Sequence, residues 1–278
     1  MLIRVSMRIA TTVGLSLISV LHVTSLNAQA EVRQPWRVAL PEGEHIQVLV
    51  ERPDKGPVRA ALVLLPGGDG RLKLDPTGRI GRMRNNFLVR TRPDFHRAGY
   101  VTALVDAPSD RQRKPGLLAG YRASKVHAAR DIGTILLNLK TTFGVPVFVI
   151  GTSRGAVSAA NAARRSGQKF AGVALTASIT VPNRRGASLR SVMLEKISTP
   201  TLFVHHASDS CSVTPLHGAR ASFERMQDAG VPVRWSTVTG GHSNIAPCKG
   251  KSHHGFWGVE GQAVGHLKTW IEKVISTQ

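Results

Sequence analysis

The chain has 278 residues, a formal net charge of +20 and two cysteines. Its cations are spread along the sequence without interleaved aromatics, which argues for a solvated basic surface and against a specific nucleic-acid site. Zinc spacings of the C-x-x-C or C-x-x-H kind are absent, so a metal site is not expected.

Arg4 and Arg8 precede a short apolar stretch, residues 9–20, and Ala28-Gln29-Ala30 has the small-residue pattern of a cleavage site. This reads as a secretory signal peptide over residues 1–30. The apolar stretch is interrupted by Thr11, Thr12, Ser16 and Ser19 and is too short for a membrane anchor. Export to the periplasm or medium is therefore expected, with residues 31–278 as one α/β domain. Cys211 and Cys248, an even pair in an exported chain, are expected to form a disulfide.

In chain order, residues 36–40 and 45–52 read as a hairpin. Continuous apolar runs follow at 60–65, 100–105, 145–150, 170–175, 201–204 and 233–238. Runs of this kind fit strands covered on both faces. Helical patterns lie between them at 87–98, 122–140, 156–165, 188–196, 216–227 and 261–275. The alternation predicts a mostly parallel sheet with helices on both faces. The interval between the strands at 170 and 201 leaves room for one helix and no large lid domain.

Gly151-Thr152-Ser153-Arg154-Gly155 sits where the run at 145–150 ends and a small-residue helix begins. A G-x-S-x-G at a strand-to-helix turn presents its serine hydroxyl on a sharp bend, and Ser153 is the candidate nucleophile. A serine needs a base oriented by a third group. Asp209 follows the strand at 201–204 and is the candidate acid, whereas Asp106 precedes the serine and has the wrong chain order. Two positions compete for the base. Gly240-Gly241-His242 follows the last strand directly, and Ser252-His253-His254-Gly255-Phe256 comes later. A Cys211–Cys248 bridge would pin the segment of Asp209 to the one leading to His254, which favours His254, with His242 as the alternative and His253 after it. Oxyanion donors are expected at the Arg154 amide and in the loop Leu65-Pro66-Gly67-Gly68-Asp69-Gly70, at Gly68 or its neighbour Asp69. A phosphate cradle is excluded because no G-K-[ST] follows these glycines.

These motifs, with Asn86-Phe87-Leu88-Val89-Arg90, Val105-Asp106-Ala107-Pro108-Ser109-Asp110-Arg111 and His254-Gly255-Phe256, resemble the α/β-hydrolase superfamily across essentially all of residues 31–278. The resemblance is to a group of exported bacterial hydrolases of poorly defined substrate. It implies an α/β-hydrolase fold and a serine hydrolase without cofactor. Ser153 and Asp209 are its implied site residues, and the cysteine with the H-G-F pattern supports His254. A carboxylesterase on small soluble esters is the leading expectation. A peptidase or amidase with the same triad, or an inactive binding protein on the same fold, stands beside it. The basic segment 79–92 hints at substrates carrying an anionic group.

Overall fold

The computed structural model describes residues 31–244 and 246–277. The leader expected at 1–30 lies outside them. β1 (Glu31–Ala39) and β2 (His45–Pro53) form the antiparallel hairpin, with Trp36 opposite Val48. β3 (Ala60–Leu65), β4 (Tyr100–Val105), β5 (Val147–Thr152), β6 (Gly172–Thr176), β7 (Thr201–His206) and β8 (Val233–Val238) continue the sheet. The eight strands lie in the order β1-β2-β4-β3-β5-β6-β7-β8. β2 meets β4 antiparallel, and every pairing from β4 across to β8 is parallel.

Every residue of β3, β4 and β5 is buried, as an apolar run in a covered sheet requires. Side chains alternate between faces with period two. Ala61, Val63 and Leu65 join one core with Ile135, Leu136 and Leu139 of α3 (Gly133–Phe143) and Ala156 and Ala159 of α4 (Gly155–Arg165). Ala60, Leu62 and Leu64 join the opposite core with Leu267, Trp270 and Ile271 of the last helix, Glu260–Ile275.

Three helical expectations are corrected. The segment 87–98 forms two short helices, α1 (Phe87–Arg90) and α2 (Arg92–His96). Pro93 lacks an amide proton and would crowd the carbonyl four residues back, and Thr91 donates its hydroxyl to the Phe87 carbonyl at the break. The segment 122–140 opens with a 3₁₀ turn, Tyr121–Ala123, and an extended Ser124, whose Oγ accepts from the His127 amide. The chain then runs through π turns, His127–Ile132, into α3. The segment 188–196 is two 3₁₀ turns, Leu189–Ser191 and Leu194–Lys196, separated by an extended Val192. The β6–β7 connection carries no lid domain. α5 (Leu216–Asp228) and α6 (Glu260–Ile275) fall where the periodicity puts them.

The long connection 67–86 is folded onto the sheet by Asp106. Its buried carboxylate accepts from the amides of Leu72 (2.6 Å), Leu74 (2.9 Å) and Ala107 (2.7 Å). Burial raises the pKa of this carboxyl against the lowering effect of the donors. The residue rejected on chain order thus shapes the loop that borders the site.

Candidate functional site

Ser153 occupies the turn from β5 into α4 with φ 55°, a left-handed conformation that a residue with a Cβ adopts only under constraint. Three glycines supply that constraint. A Cβ on Gly155 would strike the Leu65 carbonyl, one on Gly151 would strike the Gly155 carbonyl, and one on Gly67 would come within 2.9 Å of the Ser153 Cβ. The backbone of β3, its following loop and the serine turn are therefore in direct van der Waals contact, and the serine amide is tied to the Thr176 carbonyl at 2.9 Å.

Asp209 follows β7. Its Oδ1 accepts from the Cys211 amide at 2.9 Å. Its Oδ2 accepts from the Thr214 hydroxyl at 2.9 Å and pairs with His254 Nδ1 at 3.0 Å. Burial pushes the Asp209 carboxyl pKa up, but His254 and these donors outweigh it and hold it below the ordinary value. A proton on Nδ1 bound to Asp209 leaves Nε2 as the basic nitrogen of His254. The Cys211–Cys248 disulfide closes the same corner, with Cα atoms 4.7 Å apart across 37 positions.

Ser153 and His254 line one cavity of about 380 Å³ with Gly67, Gly68, Cys248 and Lys249. No hydrogen bond joins the serine hydroxyl to the imidazole among the described residues; such bonds often tighten only when substrate is bound. His242 lies elsewhere. Its amide donates to the Trp257 carbonyl at 2.9 Å, its ring lies against Gly258, and it has no carboxylate partner among the described residues. His253 stacks on His206 with ring centroids 4.5 Å apart, its Nδ1 3.2 Å from the Ser208 carbonyl.

Gly68 has φ 54° and borders the cavity beside Ser153. Among the described residues, neither its amide nor that of Arg154 donates to a protein acceptor. The loop is braced from behind by Arg122, a residue that the sequence pattern did not single out. Its Nη2 donates to the carbonyls of Pro66 and Gly67, each at 3.0 Å, and its Nη1 to Ser158 Oγ at 2.8 Å. Burial, with repulsion from Arg154, pushes the Arg122 guanidinium down to about 9.

Ser158 belongs to a second Ser–His–Asp arrangement. His127 Nε2 lies 2.9 Å from Ser158 Oγ, and its Nδ1 lies 2.9 Å from Asp131 Oδ2. Ser158 and Asp131 are 0% exposed and His127 2%, and the hydroxyl is already engaged by Arg122. No substrate reaches this serine without unfolding α4, so the trio acts as a buried strut behind the Gly67–Gly68 loop. The spacing of His127 and Asp131, four apart, was the one trace of it in the sequence.

Asp209, Cys211 and His254 bring their ligand atoms within 4.8 Å of one another. Cys211 is committed to the disulfide, so this donor set does not fit a metal site.

No protein-family model and no characterised protein sequence matches the chain. Solved structures do. An α/β hydrolase enzyme from a Medee basin deep-sea metagenome library superposes with a TM-score of 0.60 at 15% identity, covering 89% of this chain and 99% of that one. A highly thermostable carboxyl esterase from Bacillus coagulans gives 0.59 at 13%, covering 88% and 99%. A lidless α/β serine hydrolase from Xanthomonas campestris gives 0.57 at 10%, covering 84% and 94%. The chain has the α/β-hydrolase fold, and among the described residues its β6–β7 connection holds two 3₁₀ turns in place of a lid domain.

Proposed function

We propose that this chain is an exported serine hydrolase, a carboxylesterase acting on small soluble esters. The observation that carries the reading is that Ser153 and His254, the latter held by Asp209, border one cavity, with two uncommitted amides beside the serine. Ser153 Oγ attacks the ester carbonyl as His254 Nε2 takes its proton. The amides of Arg154 and Gly68 receive the developing oxyanion. The imidazolium, its charge balanced by Asp209, then protonates the leaving alcohol. Water repeats the sequence on the acyl-enzyme and restores the serine. Esterases among the structural neighbours support an ester substrate, and a dipeptidyl peptidase among them makes the comparison with anilides the deciding one. The disulfide agrees with an oxidising compartment. No helix among the described residues is long and apolar enough to cross a membrane.

The test uses a fluorophosphonate probe and 4-nitrophenyl butyrate. Ser153→Ala is expected to lose labelling and turnover, and Ser158→Ala to keep both. His254→Ala is expected to lower kcat by about 10⁶, as removal of a triad base does, with His242→Ala near wild type. Labelling that survives in Ser153→Ala, or normal turnover in His254→Ala, overturns the assignment. Faster cleavage of matched anilides than of esters would make the chain an amidase.

A further inference from the structure

The serine opens onto a second cavity, of about 500 Å³, on the side of the β6–β7 connection. It shares Gly68, Ser153, Cys248 and Lys249 with the first, so both spaces meet at the same serine. Its wall is cationic: Arg154, Arg184, Arg185 and Lys249 line it, and Arg84 lines its neighbour. No Asp or Glu lines either cavity.

The cations that drew attention in the sequence do not share this property. Arg79 pairs with Asp75, Arg82 with Asp69, Arg90 with Glu260 and Arg92 with Glu51. That segment is largely neutralised, and of it Arg84 alone reaches the cavity beside the serine. By contrast, none of Arg84, Arg154, Arg184, Arg185 and Lys249 has an acidic partner within ion-pair distance among the described residues. Arg154 is instead held by a neutral acceptor. Its Nη2 donates to Asn183 Oδ1 at 2.8 Å, and the same oxygen takes the Arg185 amide at 2.9 Å. Asn183 thereby orients one guanidinium and the backbone of the next arginine without neutralising either. Burial chiefly, with a smaller contribution from the charge of Arg185, lowers the Arg154 pKa. The arrangement costs free energy in the empty site, and an anion between the guanidinium groups would recover it.

We propose that Arg154, Arg184, Arg185 and Lys249 form an anion subsite, and that the preferred substrates are esters bearing a second, unesterified carboxylate. The inference rests on the serine-hydrolase reading above and adds the substrate class. A planar guanidinium takes a carboxylate through two parallel hydrogen bonds, so the subsite selects for the anion and orients the ester against Ser153.

The test compares the 4-nitrophenyl monoester of adipate with 4-nitrophenyl 6-methylheptanoate, in which an isopropyl group replaces the carboxylate. The six-carbon chain keeps the carboxylate from attacking its own ester. At low salt the anionic ester is expected to have a kcat/KM about tenfold higher, the size of one charge-assisted contact, and the advantage should shrink as salt rises. The double variant Arg184→Gln, Arg185→Gln should bring the ratio close to one. An equal loss of charge at and beyond the C-terminal end of α4, Arg165→Gln with Lys169→Gln, should leave the ratio as in the wild type. A ratio of one or less in the wild type, with Ser153-dependent turnover of the neutral ester intact, overturns the subsite and leaves the hydrolase. A ratio lowered equally by both double variants also overturns it, since the field of the whole molecule then accounts for the preference. Loss of all Ser153-dependent turnover and labelling removes both.

Discussion

Ser153 is held in place by what its neighbours lack. The left-handed turn persists because Gly155 packs against the carbonyls of Leu65 and Pro66, and Gly67 against the serine itself. A methyl group at 155 has no direction of escape, because the obstruction is backbone of β3 and its loop. Gly155→Ala is therefore expected to destabilise the protein by roughly 3 kcal/mol, the upper range of overpacking, and to lower kcat as the elbow shifts. Urea unfolding with 4-nitrophenyl butyrate turnover measures both, and a midpoint and kcat equal to wild type would show that the contact is loose. The G-x-S-x-G letters and the preceding apolar run made this turn legible, since its constraints are local in sequence. The pairing of Asp209 with His254 was legible only in outline. His242 had an equal claim by chain order, and a hydrogen bond across 45 positions decided where Asp209 is satisfied.

Elements carry what single residues cannot. The loop after β3 is fixed from three sides: Asp106 gathers its later amides, Arg122 gathers the carbonyls of Pro66 and Gly67, and Ser158 with His127 and Asp131 steadies Arg122 from α4 and the turns before α3. A carbonyl drawn toward Arg122 turns the following amide the other way, so under the proposed mechanism Arg122 would position the Gly68 amide as an oxyanion donor. Arg122→Lys keeps the charge and loses the fork. Its kcat is expected to fall on the order of 10²-fold, near the lower range for losing an oxyanion donor, while KM changes little. Ser158→Ala, which leaves the contacts of Arg122 to the loop, should cost much less. An equal rise in KM and fall in kcat for Arg122→Lys, or no change in either, would contradict the positioning role. Periodicity read residues 122–140 as one amphipathic helix and gave Arg122 no special place. Its partners in the loop lie more than 50 positions upstream, and no local pattern encodes a contact of that reach. The same limit explains the break at Thr91, where the apolar spacing continues but Pro93 interrupts the hydrogen bonds.

At the scale of the whole molecule, the apolar runs of the parallel strands identified the sheet because both of its faces are covered, and the charge of +20 identified little, because its meaning depends on which cations are paired. Burial of ionisable groups has a more definite consequence. His205, at the end of β7, is 0% exposed and packs against Phe203 and Trp235, with ring centroids 6.1 and 5.3 Å away; its Nδ1 has no hydrogen-bond partner among the described residues. Burial pushes its pKa down to about 3. His127 is shifted the same way, by burial that outweighs the pull of Asp131. The unfolded chain binds these protons with a pKa near 6.5, whereas folding lowers both pKa values, that of His205 to about 3. Unfolding therefore takes up protons throughout this interval, and stability falls as pH drops below about 6.5, continuing for His205 down to its folded value near 3. Asp209 adds to the decline at its acid end, because its lowered pKa stabilises the fold until the carboxylate is protonated. The melting temperature is thus expected to be level just above neutrality and to fall progressively through the acid range. His205→Gln, which cannot take up a proton, should melt below wild type at pH 7, and the gap should narrow as pH falls toward 4. A gap that stays constant with pH would mean that His205 is free to ionise within the folded protein, and that β7 admits water at the strand end from which Asp209 is presented.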